Sequence, residues 1–198
     1  MNFLAILQIV SAMLTFAFAD LPQTGVADFA LPLDAMDNRP LRLTFGLYVT
    51  PDQANNPIDP PERWTGYHTA LDIEIYPDEI DKDVPVYAIC EGAVIFTGEV
   101  NGYGGVLIQS CEYENEPITV LYGHIDPHRI QKKVADNLTP GEKVGFLGDH
   151  KTKDAGYNRK HLHLQTHRGE EIIFRGYVQR PEDLSAYIDP KIIIKLTD

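Results

Sequence analysis

The chain has 198 residues, 43% of them hydrophobic, two cysteines and a formal net charge of −12. That length suits one domain with a sizeable core and calls for no second one. The negative balance argues against nucleic acid or anionic membrane surfaces as partners and is sufficient for solubility.

Residues 1–19, MNFLAILQIVSAMLTFAFA, carry no charged side chain and close on Ala17-Phe18-Ala19, the small-x-small pattern accepted by signal peptidase. This predicts an export segment and a mature chain beginning near Asp20. The alternative is an uncleaved anchor, because the positively charged start is missing and the apolar run is marginally long enough to span a bilayer. Contact with a membrane is expected only in that second case. Residues 20–63 read as an N-terminal wrap and loop, and residues 64–198 as the main domain. Within the wrap, residues 41–48 form the first predicted strand, and residues 50–63, TPDQANNPIDPPER, hold four prolines and form a loop.

The loop leads into HTALDIEI, read as one strand. Side chains alternate across a strand, so His68, Ala70, Asp72 and Glu74 share one face, and Leu71, Ile73 and Ile75 the other. From Val84 onward, short β-type runs alternate with glycine-bearing turns: VPVYAI, GAVIFTG, GGVLIQS, ITVLYGHI, EKVGFLG, HLHLQTH and EIIFRGYV. Residues 127–137 are the best short helix or turn, and no long amphipathic helix interrupts the series. The short connections favour antiparallel pairing, so the expected fold is mainly β: a single compact antiparallel sheet or sandwich. Cys90 and Cys111 flank a hairpin whose turn is NGYGG, residues 101–105. Folding about Gly102 brings them roughly opposite each other, as a disulfide in an exported protein or as two buried thiols. No second Cys or His lies at zinc-site spacing from either one, so neither is expected to bind metal.

Three motifs concentrate four of the seven histidines: His68-x-x-x-Asp72, Tyr122-Gly123-His124 and His161-Leu162-His163. On a strand, His161 and His163 share a face while Leu162 and Leu164 occupy the other. Each motif alone has a bland explanation, such as an exposed pair or a polar turn tip; together, in an exported β-rich chain, they point to a metal site. Catalytic zinc takes three protein ligands and leaves a fourth position for water. His68, Asp72 and one member of His-x-His fit that count, leaving His124 and the other member to move a proton or stabilise an oxyanion. His128, His150 and His167 match no motif. His167 does share strand parity with the pair, as a supporting residue or a surface histidine.

The ordered set HTALD, PVYAICEGAVIFTGEVNGYGGVLIQ, LYGHI, PGEKVGFLG and KHLHLQ resembles the lysostaphin or LytM-type zinc metallopeptidases, of the duplicated hybrid motif fold. The resemblance covers residues 66–166, and the tail AYIDPKIII is similar to the segment that closes that domain. It implies His68, Asp72 and His163 as ligands of one zinc ion, His124 and His161 as the residues acting on the scissile amide, and peptidoglycan peptides as substrate. Three departures stand out: Ala70 replaces a usual glycine; residues 149–160, DHKTKDAGYNRK, replace a short Gly/Ser/Thr-rich turn ending in Gly-Pro; and Leu164-Gln165 replaces Phe-Glu. The second should border the cleft. Two other functions compete. One is a non-catalytic module that binds wall or activates another hydrolase. The other is a lipoyl or biotinyl carrier, which would need a lysine at the hairpin tip where this chain has Asn101-Gly102-Tyr103-Gly104.

Overall fold

The apolar and polar alternation of the runs beyond Val84 is realised as antiparallel strands. The computed structural model describes residues 29–196, so the expected export segment, residues 1–19, lies outside the described residues. In chain order the strands are β1 (Tyr48–Val49), β2 (Gly66–His68), β3 (Ala70–Glu74), β4 (Pro85–Tyr87), β5 (Gly92–Val100), β6 (Gly104–Tyr113), β7 (Glu116–Ile125), β8 (Asn137–Leu138), β9 (Lys143–Phe146), β10 (His161–Arg168), β11 (Tyr177–Val178) and β12 (Tyr187–Ile188). A four-residue helix, α1 (Pro190–Ile193), follows. The main sheet runs β12-β10-β7-β6-β5-β8, with β3 also on β10; β4 pairs β9, and β2 lies between β1 and β11.

One face of the main sheet supplies the core. Leu107, Val120, Tyr122, Leu162 and Leu164 pack there with Val86 of β4, Val144 of β9 and Ile193 of α1. The N-terminal stretch joins through Leu33 and Met36. Val106, Ile108 and Leu121 alternate onto the opposite face, beneath Phe174 and Tyr103. That opposite face also receives the odd-numbered residues of β10, so core and site occupy the two sides of one sheet.

A buried polar chain ties the core to the hairpin. The Tyr122 hydroxyl accepts from the Ile89 amide (2.8 Å) and donates to Gln109 Oε1 (3.1 Å), while Gln109 Nε2 donates to the Cys90 carbonyl (2.7 Å). Cys90 is disulfide-bonded to Cys111, with Cα atoms 6.1 Å apart. Tyr122→Phe leaves the Ile89 amide and Gln109 without their shared partner. It is expected to cost about 1–3 kcal/mol of unfolding free energy in a denaturant titration.

Two predicted strands differ here. Residues 41–48 are not a continuous strand: Gly46 turns the chain at φ 77°, and only Tyr48–Val49 is β. The segment instead lies along β2 and β3 as an irregular edge, exchanging bonds such as Gly46 N to His68 O (2.8 Å) and Asp72 N to Leu43 O (2.9 Å). In EIIFRGYV only Tyr177–Val178 is β, because the run leaves the main sheet to cover its site face before joining β2. Of the short helix or turn expected over residues 127–137, the structure has turns, with the His128 amide donating to Asp126 Oδ1 (2.9 Å), before the chain enters β8 at Asn137.

Candidate metal centre

The HTALDIEI strand is divided at Thr69, where the chain passes from β2 of the small sheet to β3 of the main one. Thr69 Oγ1 donates to the Arg175 carbonyl (2.9 Å) and also lies 2.9 Å from Gln165 Oε1. Despite the break, His68 and Asp72 reach the same place. β3 pairs with β10 in the register Asp72↔His163 and Glu74↔His161. Directly opposed residues of an antiparallel pair project together from one face, so Asp72 meets His163 across the strands.

His124 arrives by a different route. Strict alternation along β7 would send it into the core beside Tyr122. Between Gly105↔Ile125 and Val106↔Gly123, however, the register shifts, leaving His124 as an extra residue at φ 60°. This bulge turns its ring to the site face and returns Ile125 to the core, a re-aiming that bulges supply beside active sites. Its ring centroid lies 4.4 Å from that of His161. Its Nδ1 faces the carbonyls of Tyr103 (3.0 Å) and Ala155 (3.1 Å), which places the proton there and leaves Nε2 as the acceptor. Gly123 admits this arrangement: a Cβ there would lie 2.7 Å from Tyr103 Cδ1.

The structure brings His68, Asp72 and His163 into one buried group that could hold a metal ion. His68 Nε2 is 3.4 Å from Asp72 Oδ1 and 3.4 Å from His163 Nδ1, and His163 Nδ1 is 3.0 Å from Asp72 Oδ1. Donors about 2.0–2.1 Å from a tetrahedral zinc stand roughly 3.3 Å apart. The spacing therefore suits zinc, as does the donor set of two imidazoles and a carboxylate. His161 stands beside this group rather than in it. Its Nδ1 donates to the Arg159 carbonyl (2.9 Å), and its Nε2 lies 3.2 Å from the other oxygen, Asp72 Oδ2.

Charge also favours a cation. Burial lowers His68 from 6.5 to about 4 against the pull of Asp72, and burial likewise holds His124 well below its ordinary range. Both imidazoles are thus neutral at pH 7. Burial alone would raise Asp72, but the neighbouring His161, His68 and Arg159 outweigh it and hold this carboxyl well below the usual carboxylate range. Glu62, Asp72 and Glu74 carry three formal negative charges around the single guanidinium of Arg159. The formal excess of −2 is what a divalent ion neutralises.

Several contributors were not singled out in the sequence. Tyr103 sits at the hairpin tip, with its hydroxyl 3.3 Å from His163 Nε2 and its ring stacked on His124 at 5.4 Å. Such a partner on the outer nitrogen orients a ligating imidazole. Its only sequence signal was an aromatic residue inside a glycine-rich turn. Arg159, Glu62 and Tyr177 carried no local signal. The 149–160 segment does border the cleft: Asn158 lines it, and Arg159 donates to Asp72 Oδ2 at 2.6 Å. Lys160 is buried and donates to the Lys82 carbonyl (2.7 Å), anchoring the entry to β10. His167 is not part of the group; its ring packs edge-on to Tyr187. Ala70 is fully buried without disturbing the β3–β10 pairing. Gln165, in the third departure, donates to the Ile173 carbonyl (3.2 Å) and so holds the covering segment. Over the group lies a cleft of about 350 Å³, lined among others by Trp64, Tyr103, His124, His161 and Tyr177.

Residues 66–174 match peptidase family M23. Among solved structures the chain is similar to the catalytic domain of the antimicrobial peptidase lysostaphin from Staphylococcus simulans, at 20% identity and TM-score 0.54, covering 81% of this chain and 95% of that one. It is similar to LytU at 22% identity and TM-score 0.54, covering 82% and 88%. It is also similar to a zinc-containing peptidase from Vibrio cholerae at 20% identity and TM-score 0.50, covering 72% of this chain and 37% of that one. At these identities the likeness is one of fold: mainly β, with antiparallel sheets. No curated protein matches the chain in sequence.

Proposed function

The chain belongs to peptidase family M23, and from that membership we propose that it is an exported zinc metalloendopeptidase that hydrolyses peptide bonds in the stem peptides or cross-bridges of bacterial peptidoglycan. The observation that carries this reading is the trio His68 Nε2, Asp72 Oδ1 and His163 Nδ1, whose mutual distances of 3.0–3.4 Å suit one tetrahedral zinc. When bound, zinc lowers the pKa of a coordinated water and polarises the scissile carbonyl. The protein's own residues do the rest. His68, Asp72 and His163 would hold the ion, and Tyr103 fixes the outer nitrogen of His163. His124, with its proton held on Nδ1 by two carbonyls, offers Nε2 to the cleft to accept a proton and pass it to the leaving amine. His161, oriented by the Arg159 carbonyl, faces the same space and serves the reacting amide.

Export is supported by residues 1–19 and by the Cys90–Cys111 disulfide, a bond that persists in oxidising compartments. The full chain incubated with purified peptidoglycan is expected to release new amino groups, with one zinc per chain by elemental analysis. Excess chelator should abolish the release and added zinc restore it. Mass analysis of the fragments identifies the bond cut. A metal-free protein that binds wall without releasing amino groups would instead mark the non-catalytic module.

A further inference from the structure

Arg159 is the only cation hydrogen-bonded to the carboxylates around the candidate metal centre among the described residues. Its Nη2 donates to Asp72 Oδ2 (2.6 Å), its Nε to Glu74 Oε1 (2.8 Å), and its Nη1 to Glu62 Oε1. Asp72 and Glu74 belong to β3, whereas Glu62 belongs to the proline-rich loop, residues 50–65. That loop is organised largely by itself. Buried Asn56 donates to the Thr50 carbonyl (3.0 Å) and accepts from the Ile58 amide (3.0 Å), and Gln53 donates to the carbonyls of Asn56 and Ile58. A unit closed on its own hydrogen bonds keeps its shape, so its position over the sheet is set by a few outward ties. Those ties are Ile58 against Leu43 and Val49, Arg42 to the Pro57 carbonyl (3.4 Å), the Trp64 ring stacked on Tyr177, Gln179 to the Thr65 carbonyl, and Glu62. Glu62 is held twice, by Arg159 and by the Tyr177 hydroxyl (3.0 Å).

Glu62 and Trp64 line both the cleft over the metal-binding trio and an adjoining pocket of about 630 Å³, so the loop is the wall shared by the two. We propose that Arg159 is the positioning residue that sets the substrate groove against the metal ligands. By joining Glu62 to Asp72 and Glu74, its guanidinium makes the loop wall and the ligand strand one body. A planar guanidinium aims its donors at three carboxylates in fixed directions from three separate nitrogens, whereas a lysine offers its three donors from a single nitrogen on a flexible stem. The structural tie stands on the Arg159 hydrogen bonds alone; its kinetic consequence rests on the metallopeptidase reading.

The test compares the full chain with Glu62→Ala, Glu62→Gln and Arg159→Lys by amide hydrogen exchange, zinc content and steady-state kinetics on peptidoglycan peptides. Losing a charge-assisted tie should raise the opening equilibrium of the loop, and with it exchange at residues 50–65, by roughly tenfold in Glu62→Ala. Exchange in β6, β7 and β10 should be unchanged and one zinc per chain retained. KM should rise by roughly tenfold while kcat stays within about twofold, the signature of lost substrate binding alone. Glu62→Gln, which keeps a neutral hydrogen bond to the guanidinium, should recover part of both changes. Arg159→Lys should show the same loop exchange and also a lower kcat, because Asp72 loses its partner. A higher KM in Glu62→Ala with unchanged loop exchange would make Glu62 a direct substrate contact and overturn the proposal, as would exchange and KM both at the unsubstituted level. If the unsubstituted chain cleaves nothing yet Glu62→Ala and Arg159→Lys loosen the loop, the peptidase reading fails and the tie stands.

Discussion

His163→Ala is expected to leave the purified protein without stoichiometric zinc and without peptidase activity, whereas His161→Ala should keep one zinc per chain and lose roughly 10²–10⁴-fold in kcat. The two residues lie one leucine apart on the same strand and the same face, so proximity cannot separate them. Geometry does. His163 presents Nδ1 to Asp72 Oδ1 and His68 Nε2 at 3.0 and 3.4 Å, and its outer nitrogen meets Tyr103. His161 reaches only the second oxygen of Asp72, and its Nδ1 is committed to a backbone carbonyl. Elemental analysis and single-turnover kinetics on the two variants check the asymmetry. Zinc lost from His161→Ala, or retained by His163→Ala, would reverse the proposed roles.

The zinc-stripped protein should lose stability on acidification between about pH 6.5 and about 4. The cause is His68, whose pKa falls from 6.5 to about 4 because burial disfavours its charged form. The unfolded chain therefore binds this proton first. The stability His68 contributes is fully present above about 6.5 and is removed as pH falls towards 4. The slope is about 1.4 kcal/mol per pH unit, or about 3 kcal/mol over the window. His124 is shifted in the same direction by burial and adds to the loss. Asp72 acts lower: a depressed carboxylate contributes stability that disappears only as pH falls below the ordinary carboxylate range towards its own folded value. Denaturant titrations of the chelated protein at half-unit steps from pH 7.5 to 4.5 measure this. A midpoint independent of pH over that range would mean that these imidazoles are not buried as neutral groups.

The Asp72–His163 encounter shows how far local pattern reaches. Period-2 alternation places His161 and His163 on one face, and Asp72 and Glu74 on another strand's polar face; that much follows from backbone geometry. Leu162 and Leu164 lie in the core with Leu71 and Ile73, so hydrophobic burial selects the register that puts the polar residues opposite each other. Where the pattern is interrupted, reading it alone misleads. Residues 41–48 alternate well enough for a strand, but Gly46 breaks the extension and the segment becomes an irregular edge. EIIFRGYV is β-rich in composition, yet most of it serves as a cover over the site face, held at Ile173 by Gln165.

The residue types of the site, its placement on a sheet, the mainly β architecture and the excess of negative charge were determined by the sequence itself, because strand alternation and composition are local properties. The tertiary structure alone decided three other things. It turned His124 out of the core through a bulge at φ 60°, set Tyr103 behind His163, and brought Arg159 to carboxylates 85, 87 and 97 residues away. Each depends on a register shift or a long-range contact. These are settled by packing of the whole chain, and no window of the sequence contains both partners.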